Sequence, residues 1–287
     1  MTQEKNKVMP STLYLVGTPI GNLSDMSERA KKVLAEVDFI AAEDTRNSLK
    51  LLSLFGIKKE MVSYHEHNKK ASGERIAERL LSGESCALIT DAGMPAISDP
   101  GEDLVRLCAE AGITVSVIPG PSAVVSALAL SALSTQRFAF EGFLPPQKNE
   151  RRKRLENVKY DDRTLVFYEA PHKLKATVFD MSEVFGECRK ISFCRELTKL
   201  NEEIMRFTLG EAVAYYEEHE PRGEYVLVIE GYDGIVPSPD EDLTLLSPDE
   251  HVARYEAEGM KRMDAIKRAA KDRGISKSEL YKLLLED

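Results

Sequence analysis

Ala87-Leu-Ile-Thr-Asp-Ala-Gly-Met-Pro-Ala-Ile-Ser-Asp-Pro-Gly101 is a short apolar run that breaks into small, turn-forming and acidic residues before an amphipathic segment. Ala87, Leu88 and Ile89 suit a strand covered on both faces, whereas Gly93, Pro95, Pro100 and Gly101 cannot occupy the middle of one. The stretch therefore reads as a buried parallel strand opening into a loop. Ligands of open α/β sheets bind just beyond the carboxyl ends of strands, which puts expected chemistry between Asp91 and Asp99. Taken alone, the same residues also fit an ordinary βα loop with helix caps.

Upstream and downstream, apolar runs at Leu13–Gly17, Val37–Ala42, Met61–Tyr64, Cys86–Thr90 and Val115–Ile118 alternate with helical patterns starting near Asp25, Thr45, Lys70, Gly101 and Pro121. This alternation predicts an α/β domain over residues 11–131, a parallel doubly wound sheet with helices on both faces. The rhythm then changes. Strands are expected at Phe138–Phe143, Thr164–Tyr168, Ile191–Arg195, Ile204–Thr208 and Tyr225–Glu230, with a tight turn near Lys199 that implies a hairpin. A second α/β domain with a mixed sheet follows, over residues 132–233. Residues 234–246 are rich in Pro, Gly, Asp and Ser and read as a linker. Residues 247–287 carry a Pro-started helix, a helix ending at Gly274 and a capping box at Ser276 and Glu279, the outline of a helical, helix-turn-helix-like module.

The whole chain bounds the class. Its 287 residues, 43% of them hydrophobic, suffice for about two domains of usual size. Cys86, Cys108, Cys188 and Cys194 lie apart in apolar stretches and read as reduced core thiols, not as a disulfide frame or zinc site. The longest nearly apolar stretch, Ala123 to Leu133, is too short for a bilayer, and the first residues lack an apolar leader. A cytoplasmic protein without membrane association is expected. The net charge of −9 argues against indiscriminate binding of nucleic acid, since the summed field repels phosphate.

Two further Gly/Pro-rich stretches follow predicted strands: Val16-Gly-Thr-Pro-Ile-Gly-Asn22 and Ile118-Pro-Gly-Pro-Ser-Ala-Val124. The first matches neither G-x-G-x-x-G nor a Walker loop, so a nucleotide-phosphate cradle is not expected. Each alone reads as a turn. Together with the loop at Asp91, they can line one crevice at one sheet edge.

In order along the chain stand GTPIGN, AEDTR (Ala42–Arg46), HEHN (His65–Asn68), DAGMPAISDPG, IPGPSA, FEGFLP (Phe140–Pro145), YEAPH (Tyr168–His172) and RELTK (Arg195–Lys199). This series resembles the bacterial methyltransferases that act on the 2′-hydroxyl of a cytidine in small-subunit ribosomal RNA, members of the tetrapyrrole methylase superfamily. The likeness runs from Leu13 to Gly231, with Met94 where many relatives carry Thr. It implies S-adenosyl-L-methionine held in a trough between two α/β domains, usually in a homodimer. By motif, the cofactor contacts implied are Thr18, Pro19, Asp91, Ala92, Gly93, Ile97, Ser98, Pro119, Gly120, Pro121 and Ser122. From the second domain come Ala132, Leu133, Tyr168 and Glu169.

A ribose hydroxyl is a weak nucleophile, so a base or a charge favouring the alkoxide is expected. Asp44 or Asp99, assisted by Lys199, are the candidates for catalysis; Asp44 and Asp99 read equally as helix caps. His65-x-His67 lacks a third ligand cluster, and no metal is expected. Arg46, His65 and Asn68 are expected to face the RNA. Lys148, Arg151, Arg152, Lys153 and Arg154, five basic residues in seven positions, read as an RNA contact or as a solvated helix face. The rival readings are a tetrapyrrole or corrin methylase on the same trough and a non-catalytic RNA-binding assembly factor.

Overall fold

In a computed structural model that describes residues 7–234, 246–257 and 260–284, two five-stranded sheets form. The first contains β1 (Thr12–Val16), β2 (Phe39–Ala42), β3 (Glu60–Ser63), β4 (Cys86–Ile89) and β5 (Thr114–Ile118) in the order β3-β2-β4-β1-β5, all parallel. Period-two burial explains its two-sided cover. On β4, Cys86 and Leu88 join one core while Ala87 and Ile89 join the other, and Leu13 and Tyr14 on β1 divide the same way. Helices α1 (Glu28–Glu36) and α2 (Thr45–Leu54) cover one face; α3 (Lys69–Leu81) and α4 (Gly101–Glu110) cover the other.

The second sheet contains β6 (Phe138–Phe143), β7 (Thr164–Glu169), β8 (Lys190–Arg195), β9 (Glu203–Thr208) and β10 (Tyr225–Ile229) in the order β6-β7-β10-β8-β9. Only β6 and β7 run parallel, so the sheet is mixed, and β8 and β9 form the hairpin expected from the turn near Lys199. One face is covered by α6 (Lys148–Val158), α7 (Pro171–Phe185) and α8 (Leu209–Glu218).

The other face differs from the sequence expectation. Helix α5 (Ala123–Leu130), placed by its sequence with the first domain, buries Val124, Ala127 and Leu128 against Val166, Cys194, Val226 and Val228 of the second sheet. The helix carries no charged residue; its Val124, Ala127 and Leu128 side packs on the second sheet, while Val125 and Leu130 stay exposed. One cysteine also departs from expectation. Cys86, Cys108 and Cys194 are buried, but Cys188 is exposed, because α7 ends at Gly186 and Cys188 falls in the turn to β8.

The chain divides into two compact units, Met1–Tyr232 and Asp233–Asp287. Most of the proposed linker, residues 235–245, lies outside the described residues. Within the second unit, α9 (Pro248–Ala257), α10 (Arg262–Asp272) and α11 (Lys277–Leu283) enclose a core of Val252, Ile266, Ala269 and Leu280. Gly274 ends α10 with φ +67°, and Ser276 and Glu279 form the expected capping box.

The loops after β1, β4 and β5 meet at the carboxyl edge of the first sheet. Thr18 and Gly93 exchange backbone hydrogen bonds of 2.9 and 3.1 Å, and the Thr18 hydroxyl donates to the Thr90 carbonyl at 3.1 Å. A Cβ on Gly120 would stand 2.8 Å from the Gly17 Cα, so both glycines are needed for the close approach. Gly120→Ala is expected to lower stability by about 1–3 kcal/mol, the usual range for overpacking, read as a drop in thermal midpoint. An unchanged midpoint would mean that the loops can separate freely.

Candidate active site

Between that loop edge and the second sheet lies a cavity of about 440 Å³. The β4–α4 loop supplies Thr90, Ala92, Gly93, Met94, Ile97, Ser98 and Asp99, while Ile20, Glu43 and Ser122 complete the first wall. The opposite wall is made by Phe143, Tyr168 and Glu169 at the ends of β6 and β7, Cys194 and Leu197 on and after β8, and Tyr225 and Val226 on β10. Val226 lies on the same face of β10 as Val228, so the apolar layer under α5 continues into the cavity.

Backbone strain collects in the segments around the cavity. Among the described residues, six other than glycine have positive φ. Five of them, Ala96 (68°), Ser98 (63°), Ala132 (63°), Glu196 (51°) and Thr198 (64°), lie in the β4–α4 loop, after α5 or in the β8–β9 turn. Each such conformation costs about 1–3 kcal/mol and persists only where its surroundings over-determine it, the usual state of a ligand-gripping loop.

The candidate carboxylates have distinct environments. Asp99 uses Oδ1 to accept from the amides of Ala96 (3.0 Å) and Gly101 (2.7 Å), which folds the loop back on itself; Oδ2 is buried without a partner. Glu43 accepts from the Thr90 hydroxyl at 3.1 Å. Glu169 is tied by the Ala170 amide, the Thr177 hydroxyl (2.6 Å) and Lys173, so it braces the start of α7. Lys199 reaches Glu196 at 2.9 Å and Glu224 at 2.7 Å. Burial works against its charge, but the hydrogen bonds to Glu224 and Glu196 outweigh burial and hold the amine above its ordinary value. Lys199 therefore stays protonated near neutral pH and cannot take a proton.

Asp44 does not line the cavity. It caps α2 by accepting from the Arg46 amide at 2.9 Å and pairs with the Arg46 guanidinium, whose hydrogen bonds draw its carboxyl down to about 2. Of the two readings the sequence left open for Asp44, the structure shows the cap.

The structure divides the residues implied as cofactor contacts. Ala92, Gly93, Ile97, Ser98, Ser122, Tyr168 and Glu169 line the cavity. Thr18, Gly120 and Pro121 instead belong to the loop junction: Thr18 is fully buried, Gly120 packs on Gly17 and the Pro121 carbonyl lies beside Gly93, whereas Pro119 is exposed. Pro19 and Asp91 line a smaller cleft of about 210 Å³, with Thr90 as the wall shared with the main cavity. Ala132 and Leu133 line neither; the carbonyls of Leu130 and Ser131 are held by Arg206, and Leu133 packs with the α5 core. Sequence reasoning assigned no role to Glu43, although AEDTR contained it, and missed the wall formed by Phe143, Tyr225 and Val226.

The basic run is largely structural. Arg151, 5% exposed, donates twice to the Asp180 carboxylate, which is 1% exposed. Arg152 also pairs with Asp180, and Arg154 pairs with Glu141. A residue so buried cannot serve as an RNA contact, which corrects the expectation for Arg151; Lys148 and Lys153 remain exposed. Asn68 closes its own loop by accepting from the His65 amide (2.8 Å) and donating to the Ser63 carbonyl, while His65 Nδ1 is buried without a hydrogen-bond partner.

Strained loops at a parallel-sheet edge, closed by the face of a mixed sheet, define a two-sheet α/β enzyme with its small-molecule site between the sheets. Comparison with known proteins makes this specific. The family profile described as tetrapyrrole (corrin/porphyrin) methylases matches residues 12–213, and the chain belongs to that family. It is a methyltransferase. The chain is 50% identical to "Ribosomal RNA small subunit methyltransferase I" of Halalkalibacterium halodurans, covering 95% of this chain and 94% of the relative. The protein of the same name from Bacillus subtilis is 46% identical, covering 94% and 92%. Among solved structures, diphthine synthase superposes with a TM-score of 0.59 at 15% identity, covering 77% and 90%. Uroporphyrin-III-C-methyltransferase of Thermus thermophilus gives a TM-score of 0.53 at 20% identity, covering 77% and 94%. These two share the fold.

Removing Arg151 leaves Asp180 buried with only Arg152, so Arg151→Ala is expected to lower unfolding free energy by about 3–5 kcal/mol, and Lys153→Ala by less than about 0.5. Denaturant unfolding of both variants checks the contrast, and equal small effects would return Arg151 to a surface role.

Proposed function

We propose that the protein transfers the methyl group of S-adenosylmethionine to the 2′-hydroxyl of a cytidine in small-subunit ribosomal RNA. The observation that carries this reading is the combination of near-complete coverage by relatives bearing the small-subunit ribosomal RNA name with a cavity suited to a nucleoside-sized cation. Its volume lies in the range of cofactor sites. Ile97, Phe143, Leu197 and Val226 offer apolar surface for an adenosyl group, and Glu43, Asp99, Glu169 and Glu224 surround the space with carboxylates that favour a positive centre.

The bound cofactor supplies a methyl group on cationic sulfur, transferable in line to an oxygen held about 3–3.5 Å away. The protein's part is to orient the acceptor, exclude water and receive one proton. Asp99 Oδ2, buried and unpartnered on the cavity wall, is the proposed proton acceptor. Protonated Lys199, also on that wall, favours the developing alkoxide. Lys148 and Lys153 on α6, with Arg46 and His65, are the proposed RNA contacts. A cytoplasmic homodimer completes the reading.

Unmodified small ribosomal subunits, incubated with the protein and methyl-labelled cofactor, are expected to yield labelled 2′-O-methylcytidine on nucleoside mass spectrometry. Label on a base, or none, would overturn the reading. In that assay Asp99→Asn is expected to reduce kcat by roughly 10²–10⁴-fold with little change in cofactor affinity, the range for loss of a general base. Sedimentation at the assay concentration is expected to give twice the chain mass.

A further inference from the structure

The smaller cleft is built differently from the cofactor cavity it adjoins. Its apolar walls are Pro19, Leu23 and Leu51, and its polar groups are Asn47, Ser48 and Asp91. Its volume of about 210 Å³ is roughly seven times the share of one water in the liquid, enough for a single ring with its substituents. The Asn47 amide donates to Asp91 Oδ2 at 3.3 Å. That one bond uses one Asn47 N–H and one Asp91 oxygen, so the pair still has a donor and an acceptor to offer a guest in the cleft that both residues line.

Thr90 fixes where such a guest lies relative to the chemistry. It sits directly after β4 and lines both spaces, and its hydroxyl is bound to Glu43, a residue of the cofactor wall. A ring in the smaller cleft therefore lies one residue's width from the cavity that holds the reacting group.

The geometry points to this cleft as the pocket for the acceptor base, with Asp91 and Asn47 reading the edge of cytosine. This inference rests on the proposed methylation of RNA. Cytosine offers an exocyclic amino group beside a ring-nitrogen acceptor, which match the Asp91 carboxylate and the Asn47 N–H. Uracil offers a carbonyl and an N–H at those positions, so it sets oxygen against carboxylate and donor against donor. Leu23, Leu51 and Pro19 supply the flat apolar contact that an unstacked base requires. Asp91, implied by sequence as a cofactor contact, is here assigned to the acceptor.

The test uses the full chain and small-subunit RNA in which the methylated cytidine has first been mapped, alongside the same RNA carrying uridine at that position. Asp91→Asn is expected to lower kcat/KM on the cytidine template roughly ten- to hundredfold, as for loss of one base-edge contact. On the uridine template it should hold or raise kcat/KM, and cofactor affinity by calorimetry should stay within about twofold. Asn47→Ala is expected to weaken the cytidine template without helping uridine. Equal losses on both templates, or a loss of cofactor affinity matching the loss of turnover, would overturn the base pocket while leaving the methyl-transfer reading intact. A wild-type chain that binds cofactor but modifies no small-subunit RNA would overturn both.

Discussion

The contact between Gly17 and Gly120, together with the Thr18–Gly93 backbone pair, is the constraint from which the site follows. Three parallel strands end at one edge, but parallel strands alone leave their loops free to diverge. Side-chain-free approach at Gly17 and Gly120 lets the loops after β1 and β5 touch, and the paired amides of Thr18 and Gly93 bind the loop after β4 to the same point. Because Thr18 spends its hydroxyl on the Thr90 carbonyl as well, the end of β4 is held from both directions. That leaves the outer part of the β4–α4 loop. There Asp99 imposes a second fold, accepting two amides and forcing Ala96 and Ser98 into left-handed conformations.

The second sheet acts as a counterface. Helix α5, the chain's crossing from one sheet to the other, packs on β10 and β8 and so fixes the distance between the loop edge and the opposite wall. Val226 and Cys194 extend that apolar layer beyond the helix and into the cavity. The trough is therefore a place where interlayer packing stops short, walled by groups that elsewhere would be core. This is why its lining is apolar on one side and polar, through loop backbone and carboxylates, on the other.

Much of this was legible in the sequence, and the exceptions share a cause. Strand positions, the mixed character of the second sheet and the convergence of three Gly/Pro loops follow from local periodicity and turn chemistry, which act over a few residues. The misread features depend on partners far along the chain. Arg151 belongs to a basic run by spacing, yet its counterion Asp180 is 29 residues away. An uncharged α5 announces a buried stripe without saying against which sheet. Asp91 and Ala92 are neighbours in one motif, but their side chains line different clefts, a divergence set by the loop's path. On β10, alternation predicts two covered faces, and nothing in Tyr225-Val226 distinguishes cover by helix from cover by ligand.

The charge distribution is consistent with the same division of labour. An overall charge of −9 repels RNA at long range, and the carboxylates of Glu43, Asp99, Glu169 and Glu224 around the cavity sharpen that repulsion locally. Such a lining favours a cationic group and disfavours a phosphate. Screening reduces the long-range penalty beyond about 8–10 Å at physiological salt, leaving attraction to exposed cations such as Lys148 and Lys153 a local matter. On the proposed reading, an acidic methyltransferase acts on a polyanion because the exposed cations of α6 and the carboxylates around the cavity belong to separate elements.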